Sequence, residues 1–452
     1  MLVLNRVIDI ILSCMNVPLL DKMLGMETYV SDFNGIGGKI KVFLDDFIVE
    51  EISFDGSIAH ISEDSRYFLG DRNEYLWFIL VKRGIDSISA IRIIARFLGK
   101  SYKIFSFAGF KDSRAFTAQF VCGRNIYYED LIRFYDPFGR VFVRVLGYRP
   151  FKIIPGMLYG NRFRIIVRDI FLIDDIDRFF SEVKFFPAYY GYQRFGTIRP
   201  NTHIIGKYIL MGRFKDAIYE LIAHPYPYEP ENIKEIRRII GEKWDFKYGL
   251  RVMPRKLSHE YVVLKYLAKH NENYIGAIRN LPFSIRRLMV SAYQSYIFNK
   301  VLSRRILRNI SIIYPEIGDI IGILDENGSI RGIMNVNSMN IMDCRRLIDE
   351  GKAVLLLRLL GYGSIIGSGV QGEIEREVLE EEGISLDIFK SKSMPELSIK
   401  GGYRATSFTL ENLSYRVDKN ILFLSFILKK GFYATIFLRE LMKPRNILSA
   451  GF

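Results

Sequence analysis

Residues 107–119 read FAGFKDSRAFTAQ, and residues 188–203 read AYYGYQRFGTIRPNTH. In the first stretch Asp112 lies between Lys111 and Arg114, behind an Ala108-Gly109 turn and among phenylalanines. A carboxylate beside two cations is expected to stay ionised, fit to act as a nucleophile or an electrostatic stabiliser. A bare GxKD is most often an ordinary surface turn with a local ion pair. The second stretch shifts that balance, because it interleaves aromatics, glycines and bases in a way that core packing does not require.

Outward from these stretches the pattern alternates between strand and helix. Residues 39–52 (KIKVFLDDFIVEEI) mix β-branched, aromatic and charged residues, as a half-buried strand and its turn would. The apolar run at 75–82, bounded by charge, predicts a buried strand. Residues 87–100 place Ile88, Ile91, Ile94, Ala95 and Leu98 at helical spacing, with Ser87 as N-cap and Gly99 as stop. Residues 141–148 and 162–168 read as further strands. Between about 206 and 404 helical periodicity dominates. Residues 207–223 and 257–269 are expected to be helical, and Ile285, Leu288, Met289, Ala292, Tyr293 and Tyr296 to line one face of a long helix. The run ILFLSFIL (421–428) predicts a buried strand, and Ala434–Met442 a helix stopped by Pro444.

At 452 residues, with 49% hydrophobic and 14% aromatic residues, the chain can build two or three domains with ample core. Lys and Arg number 64 against 50 Asp and Glu, for a net charge of +14. A charge of that size suits a polyanion, RNA above all, although a basic solvated surface would give the same number. Cys14, Cys122 and Cys344 are isolated and the five histidines scattered, so no zinc site is expected and a reducing cytoplasm is. Residues 1–20 read as an amphipathic helix ending before Pro18 rather than a signal peptide, and no run reaches the roughly 18 apolar residues of a spanning helix. A soluble cytoplasmic protein without a membrane partner is expected. A monomer is too, since no heptad or self-complementary apolar face stands out. The glycines of GYGSIIGSG (361–369) and GIGG (35–38) lack Walker and GxGxxG spacing and read as a loop and a turn.

The two opening stretches together resemble the TruD family of tRNA pseudouridine synthases, which carries AGxKDxxAxTxQ around its catalytic aspartate and NYFGxQRFG downstream. The matching positions are Ala108, Gly109, Lys111, Asp112, Ala115, Thr117 and Gln119, then Tyr189, Gly191, Gln193, Arg194, Phe195 and Gly196. DDFIVEE (45–51) with Lys41, and GFYATIFLREL (431–441), extend the match. SAYQSYIFN (291–299) and GYGSIIGSGVQGEIE (361–375) look like the archaeal branch.

The resemblance implies an α+β fold: a mixed antiparallel-sheet pseudouridine synthase core interrupted by an inserted, helix-rich TRUD domain. Residues 1–205 and 405–452 would form the catalytic core and 206–404 the insertion. It implies isomerisation of uridine in tRNA, position 13 by the family's name, with Asp112 as nucleophile and no metal or cofactor. Lys41, Phe47, Lys111, Tyr190, Arg194 and Tyr433 would bind substrate. Tyr190 and Tyr433 each add a hydroxyl to an expected aromatic, while Ala188 replaces an Asn that could read the uracil edge. Arg194, Arg199 and His203 are candidate phosphate contacts, each as readily structural, and the stripe Arg304, Arg305, Arg308 could grip tRNA or simply be solvated. The alternatives are a pseudouridine synthase acting on another RNA and a non-catalytic RNA-binding protein.

Overall fold

The computed structural model describes residues 17–62, 70–326 and 328–452. The helix expected before Pro18, and Cys14, lie almost wholly outside that range. The chain divides into two compact units: Phe33–Lys184 with Thr409–Pro444 and Ser449–Phe452, and Phe185–Phe408 with Arg445–Leu448 and the described part of Met1–Asp32. The unit boundaries fall at 184/185 and 408/409, where the sequence reading set them at 205/206 and 404/405.

The first unit is built on a mixed sheet. Its strands are β1 (Gly37–Lys39), β2 (Phe47–Ile52), β3 (Tyr75–Arg83), β4 (Phe105–Phe107), β5 (Phe116–Arg124), β6 (Val141–Arg149), β7 (Gly160–Ile170) and the hairpin Glu411–Asp418/Ile421–Lys429. From the edge the order is the two hairpin strands, β7, β2, β5, β3 and β6, with β1 beside β7 and β4 beside β5. Only β2 and β5 run parallel; the other pairs are antiparallel. Strand Ile421–Lys429 pairs with β7 along its full length.

Both faces of β3 are apolar because both are covered. Leu76, Phe78 and Leu80 pack against Ala90, Ile91, Ile94 and Ala95 of the helix Ser87–Phe97, while Ile79 and Val81 pack with Ala118, Phe120 and Cys122 under Ile153 and Leu158. The period of two puts Lys82 on the helix side. The helix begins one residue before the expected N-cap residue's role would allow. Asp86, not Ser87, is the cap, accepting from Ser89 N–H at 2.9 Å, and this frees the Ser87 hydroxyl for other work.

In the second unit a 25-residue helix, Phe283–Leu307, packs on Thr202–Leu210. A Cβ on Gly206 would stand 2.0 Å from the Met289 carbonyl, so glycine is what permits that approach. The helix expected over 207–223 is two, Thr202–Leu210 and Phe214–Ile222, broken at Gly212 with φ +72°. Leu288, expected on the buried face of the long helix, is exposed. This unit also holds an antiparallel four-stranded sheet, ordered Ile330–Asn335, Ile320–Leu324, Ala353–Leu359, Gly402–Ala405, which helical periodicity did not foretell. Among the described residues no helix is long and apolar enough to cross a membrane.

Candidate active site

Register places one set of chain ends together. Arg83 is opposite Phe116, Lys82 opposite Val141, and Ile48 opposite Phe116. The C-terminal end of β3 therefore meets the N-terminal ends of β2, β5 and β6, and the loop 108–115 that carries Asp112 lies at this end of the sheet.

Asp112 finds its cation at a distance in sequence. Lys41 Nζ donates to Asp112 Oδ2 at 2.6 Å, and Arg114 N–H donates to Oδ1 at 2.9 Å. Burial pushes the Asp112 carboxyl up, but the Lys41 charge and hydrogen bond, helped by Arg114 N–H and the Lys82 charge, outweigh it and hold the group below the usual carboxylate range. The ammonium of Lys41 also stands 4.7 Å from the centre of the Phe47 ring. That ring opens β2 and packs edge-on to Phe163, 6.0 Å between centroids, which stacks in turn on Phe426.

The position of Lys41 is set by its turn. Lys41 has φ 55°, and the turn Leu44–Asp46 follows it. Asp46 accepts from Phe43 N–H at 2.8 Å and is gripped by the Arg168 guanidinium at 2.8–3.1 Å. Upstream, Gly37 (φ +64°) lies so close to Phe171 that a Cβ would stand 1.7 Å from its ring. The GIGG turn thus lets the chain hug β7 before it presents Lys41.

Lys111, expected to flank the carboxylate, has partners of its own. Its Nζ pairs with Glu51 Oε2 at 2.8 Å and donates to Asn161 Oδ1. Its N–H donates to Ser87 Oγ at 3.1 Å; the Ser87 hydroxyl donates to Gln119 Oε1, and Gln119 Nε2 donates to the Gly109 carbonyl. The AGxKD turn is thereby stitched to a helix start and to β5.

Sequence reasoning missed Lys82. Fully buried, it donates to the carbonyl of Asp112 itself at 2.7 Å and to that of Ile85 at 2.8 Å. Burial, only partly offset by Asp112 and Asp86, lowers its pKa to about 8. Its one sequence signal was a lysine at the end of an apolar run, read there as the strand's charged boundary.

Tyr433 sits half-buried in the same unit, immediately before the helix Ala434–Met442. Tyr190 and Arg194 belong to the second unit. Tyr190 is held by Asn299, which accepts from its N–H and donates to its carbonyl, and its ring lies 4.2 Å under the Arg404 guanidinium. Arg194 donates to Ser295 Oγ at 3.1 Å and stands 5.6 Å from the Tyr190 ring centre. At Ala188 the carbonyl accepts from Arg404 and the N–H donates to the Thr406 carbonyl, so its backbone is already engaged.

Several candidate phosphate contacts are internal supports. Arg199 binds Glu260 and the carbonyls of Glu220, Leu221 and His224. His203 is buried against Tyr296, and burial lowers its pKa to about 4, leaving it neutral. Arg305 is buried on Asp319 and Gln371; Arg304 and Arg308 pair with Glu381 and Glu377. Among the described residues no cluster of His, Cys, Asp and Glu could hold a metal ion.

Residues 23–441 match the family profile described as tRNA pseudouridine synthase D (TruD). Relatives carrying the name probable tRNA pseudouridine synthase D include one from Methanosarcina mazei, 34% identical over 446 residues, 95% of this chain and 98% of the relative. Another, from Methanopyrus kandleri, is 37% identical over 391 residues, 84% of this chain and 88% of its own. The crystal structure of the Methanosarcina mazei protein assigned to tRNA pseudouridine synthase D superposes with a TM-score of 0.76 at 34% identity, covering 94% of this chain and 98% of that one.

Proposed function

The chain belongs to the TruD family of tRNA pseudouridine synthases, and on that premise we propose that it isomerises uridine 13 of tRNA through Asp112. The observation that carries this reading is the Asp112 carboxylate clamped at 2.6 Å by Lys41, partly buried and kept ionised. The reaction breaks the N1–C1′ bond, turns the base over and joins C5 to C1′. Every atom of the substrate is retained, so no group donor, redox cofactor or metal is required by its balance. An ionised carboxylate can attack C1′, or stabilise positive charge there, while the bond's electron pair leaves with N1. Once C5 has bonded, the proton it carries must depart, and a carboxylate can help to take it.

In this reading Lys41 sets the charge and direction of the nucleophile, and Phe47 offers a ring face to a base turned out of its stack. Tyr190, Arg194 and Tyr433 contribute substrate contacts. Lys111 acts through the loop, because Glu51 and Asn161 already occupy its ammonium. We place the catalytic core in Phe33–Lys184 with Thr409–Pro444 and the inserted domain in Phe185–Phe408, in a cytoplasmic monomer. The test is carbodiimide-based mapping of an unmodified tRNA transcript beside one with cytidine at position 13. A single new pseudouridine at 13, absent from the second transcript, is expected. Modification elsewhere in both would redirect the reading to another RNA position.

A further inference from the structure

We propose that the helix Ser87–Phe97 and the segment leaving it form an RNA track that runs outward from the Asp112 loop and binds the phosphates flanking the target nucleotide. This rests on the reading of the chain as a tRNA-modifying enzyme, but not on the chemistry of Asp112.

The start of the track is fixed by contacts already described. Ser87, the first residue of the helix, holds Lys111 N–H, and Lys82 bridges the carbonyls of Ile85 and Asp112. From there eleven helical residues carry the chain about 15 Å away. Buried Ala90, Ile91, Ile94 and Ala95 seat one face on the sheet. Arg92 and Arg96, four residues apart, share the opposite, exposed face, and Lys100 and Lys103 are exposed in the segment that follows the Gly99 turn. None of these four cations has a carboxylate partner among the described residues, and no acidic residue occurs between Asp86 and Asp112.

Aromatics accompany the cations. Tyr102 lies 5.1 Å under the Arg92 guanidinium, and Phe97 is 47% exposed and packs edge-on to Phe134, 5.4 Å between ring centroids. At the loop end Phe110 and Phe138 are each 75% exposed. Phe138 belongs to a turn made rigid by Asp136, which accepts from the N–H groups of Arg140 and Val141. The Arg140 carbonyl accepts from Arg83 N–H, which ties this turn to the same end of the sheet. Positive charge with interleaved exposed rings, and no acid between Asp86 and Asp112, is the composition that grips a nucleic-acid backbone and stacks its bases. A protein partner would call for an apolar centre with opposite charges around it, which this strip lacks.

The test measures affinity for an unmodified tRNA transcript from 50 to 200 mM KCl, in an Asp112→Ala background so that binding is separated from turnover. Three side chains are changed together: Arg92→Ala, Arg96→Ala and Lys100→Ala. Expected is a loss of tenfold or more at low salt and a plot of log Kd against log salt shallower by about two, as befits three lost phosphate contacts. Arg92→Lys/Arg96→Lys should retain the slope, and Arg124→Ala/Lys419→Ala, elsewhere on the unit, should leave both affinity and slope unchanged. Equal affinity and slope for the triple variant and its parent would overturn the track while leaving the enzyme reading intact. Weakened binding with an unaltered slope would also overturn it. If parent and triple variant differ as expected but protein with Asp112 intact forms no pseudouridine, the track stands and the enzyme reading falls.

Discussion

Lys82→Met separates stability from catalysis. The folded protein keeps a charged lysine in its interior, with a pKa lowered from 10.5 to about 8. The sign follows from proton counting: between pH 8 and 10.5 the unfolded chain holds a proton that the folded protein has released, so stability rises with pH across that window. Below pH 8 both states are protonated and the whole cost of burial is borne, about 3 kcal/mol for a shift of this size. Between pH 7 and 9.5 about 2 kcal/mol of that cost should vanish. Lys82→Met has no such group, so urea unfolding at several pH values should show the wild type gaining about 2 kcal/mol on the variant over that range. At pH 7 the variant should fold about as well as the wild type or better, since removing a buried charge offsets the lost hydrogen bonds. Turnover should nonetheless fall roughly 100-fold, because the Asp112 and Ile85 carbonyls lose the ammonium that fixes the loop. Affinity for tRNA should be unchanged. A stability gap that does not move with pH, or a variant with wild-type kcat, would refute the reasoning.

Lys41→Met should lower kcat roughly 100-fold and move the acid limb of the rate profile to higher pH, since burial then acts on Asp112 without its main counter-charge. Asp86→Ala should cost about 1 kcal/mol in denaturant unfolding through the lost helix cap, with little change in turnover. Ser87→Ala should reverse that emphasis and mainly reduce kcat, because Ser87 holds the Lys111 N–H rather than the helix start. Arg305→Ala should destabilise by about 3–5 kcal/mol, leaving Asp319 and Gln371 buried without their partner, and should not change the salt dependence of tRNA binding.

What the sequence disclosed and what it withheld have physical reasons. Strands β3, β6 and β7 and the closing strand and helix were legible because each is long, apolar and bounded by charge or turn residues. The strand Ala353–Leu359 (AVLLLRL) is a short apolar run, and periodicity alone does not separate a buried strand from a buried helix. Asp86 and Ser87 are both good caps; the choice fell to Asp86 because a tertiary contact, the Lys111 loop, claims the serine. Arg305 follows Arg304 directly, and a turn of 100° per residue carries it off the 304/308 stripe into the interior. Asp112 was visible in its motif, but its partner was not: the neighbouring Lys111 is drawn to Glu51, and Lys41 arrives from 71 residues away through the pairing of β2 with β5. Lys82 was invisible for the same reason, since only the fold shows that a strand-end lysine faces the helix and not water.

The most direct test of the account is single-turnover pseudouridine formation on an unmodified tRNA transcript with wild type beside Asp112→Asn, a change that keeps the side chain's shape and removes its charge. The account predicts rapid formation of one pseudouridine by the wild type, and none above background by the variant, with tRNA affinity within a few-fold of normal. Turnover by Asp112→Asn near the wild-type rate would contradict it.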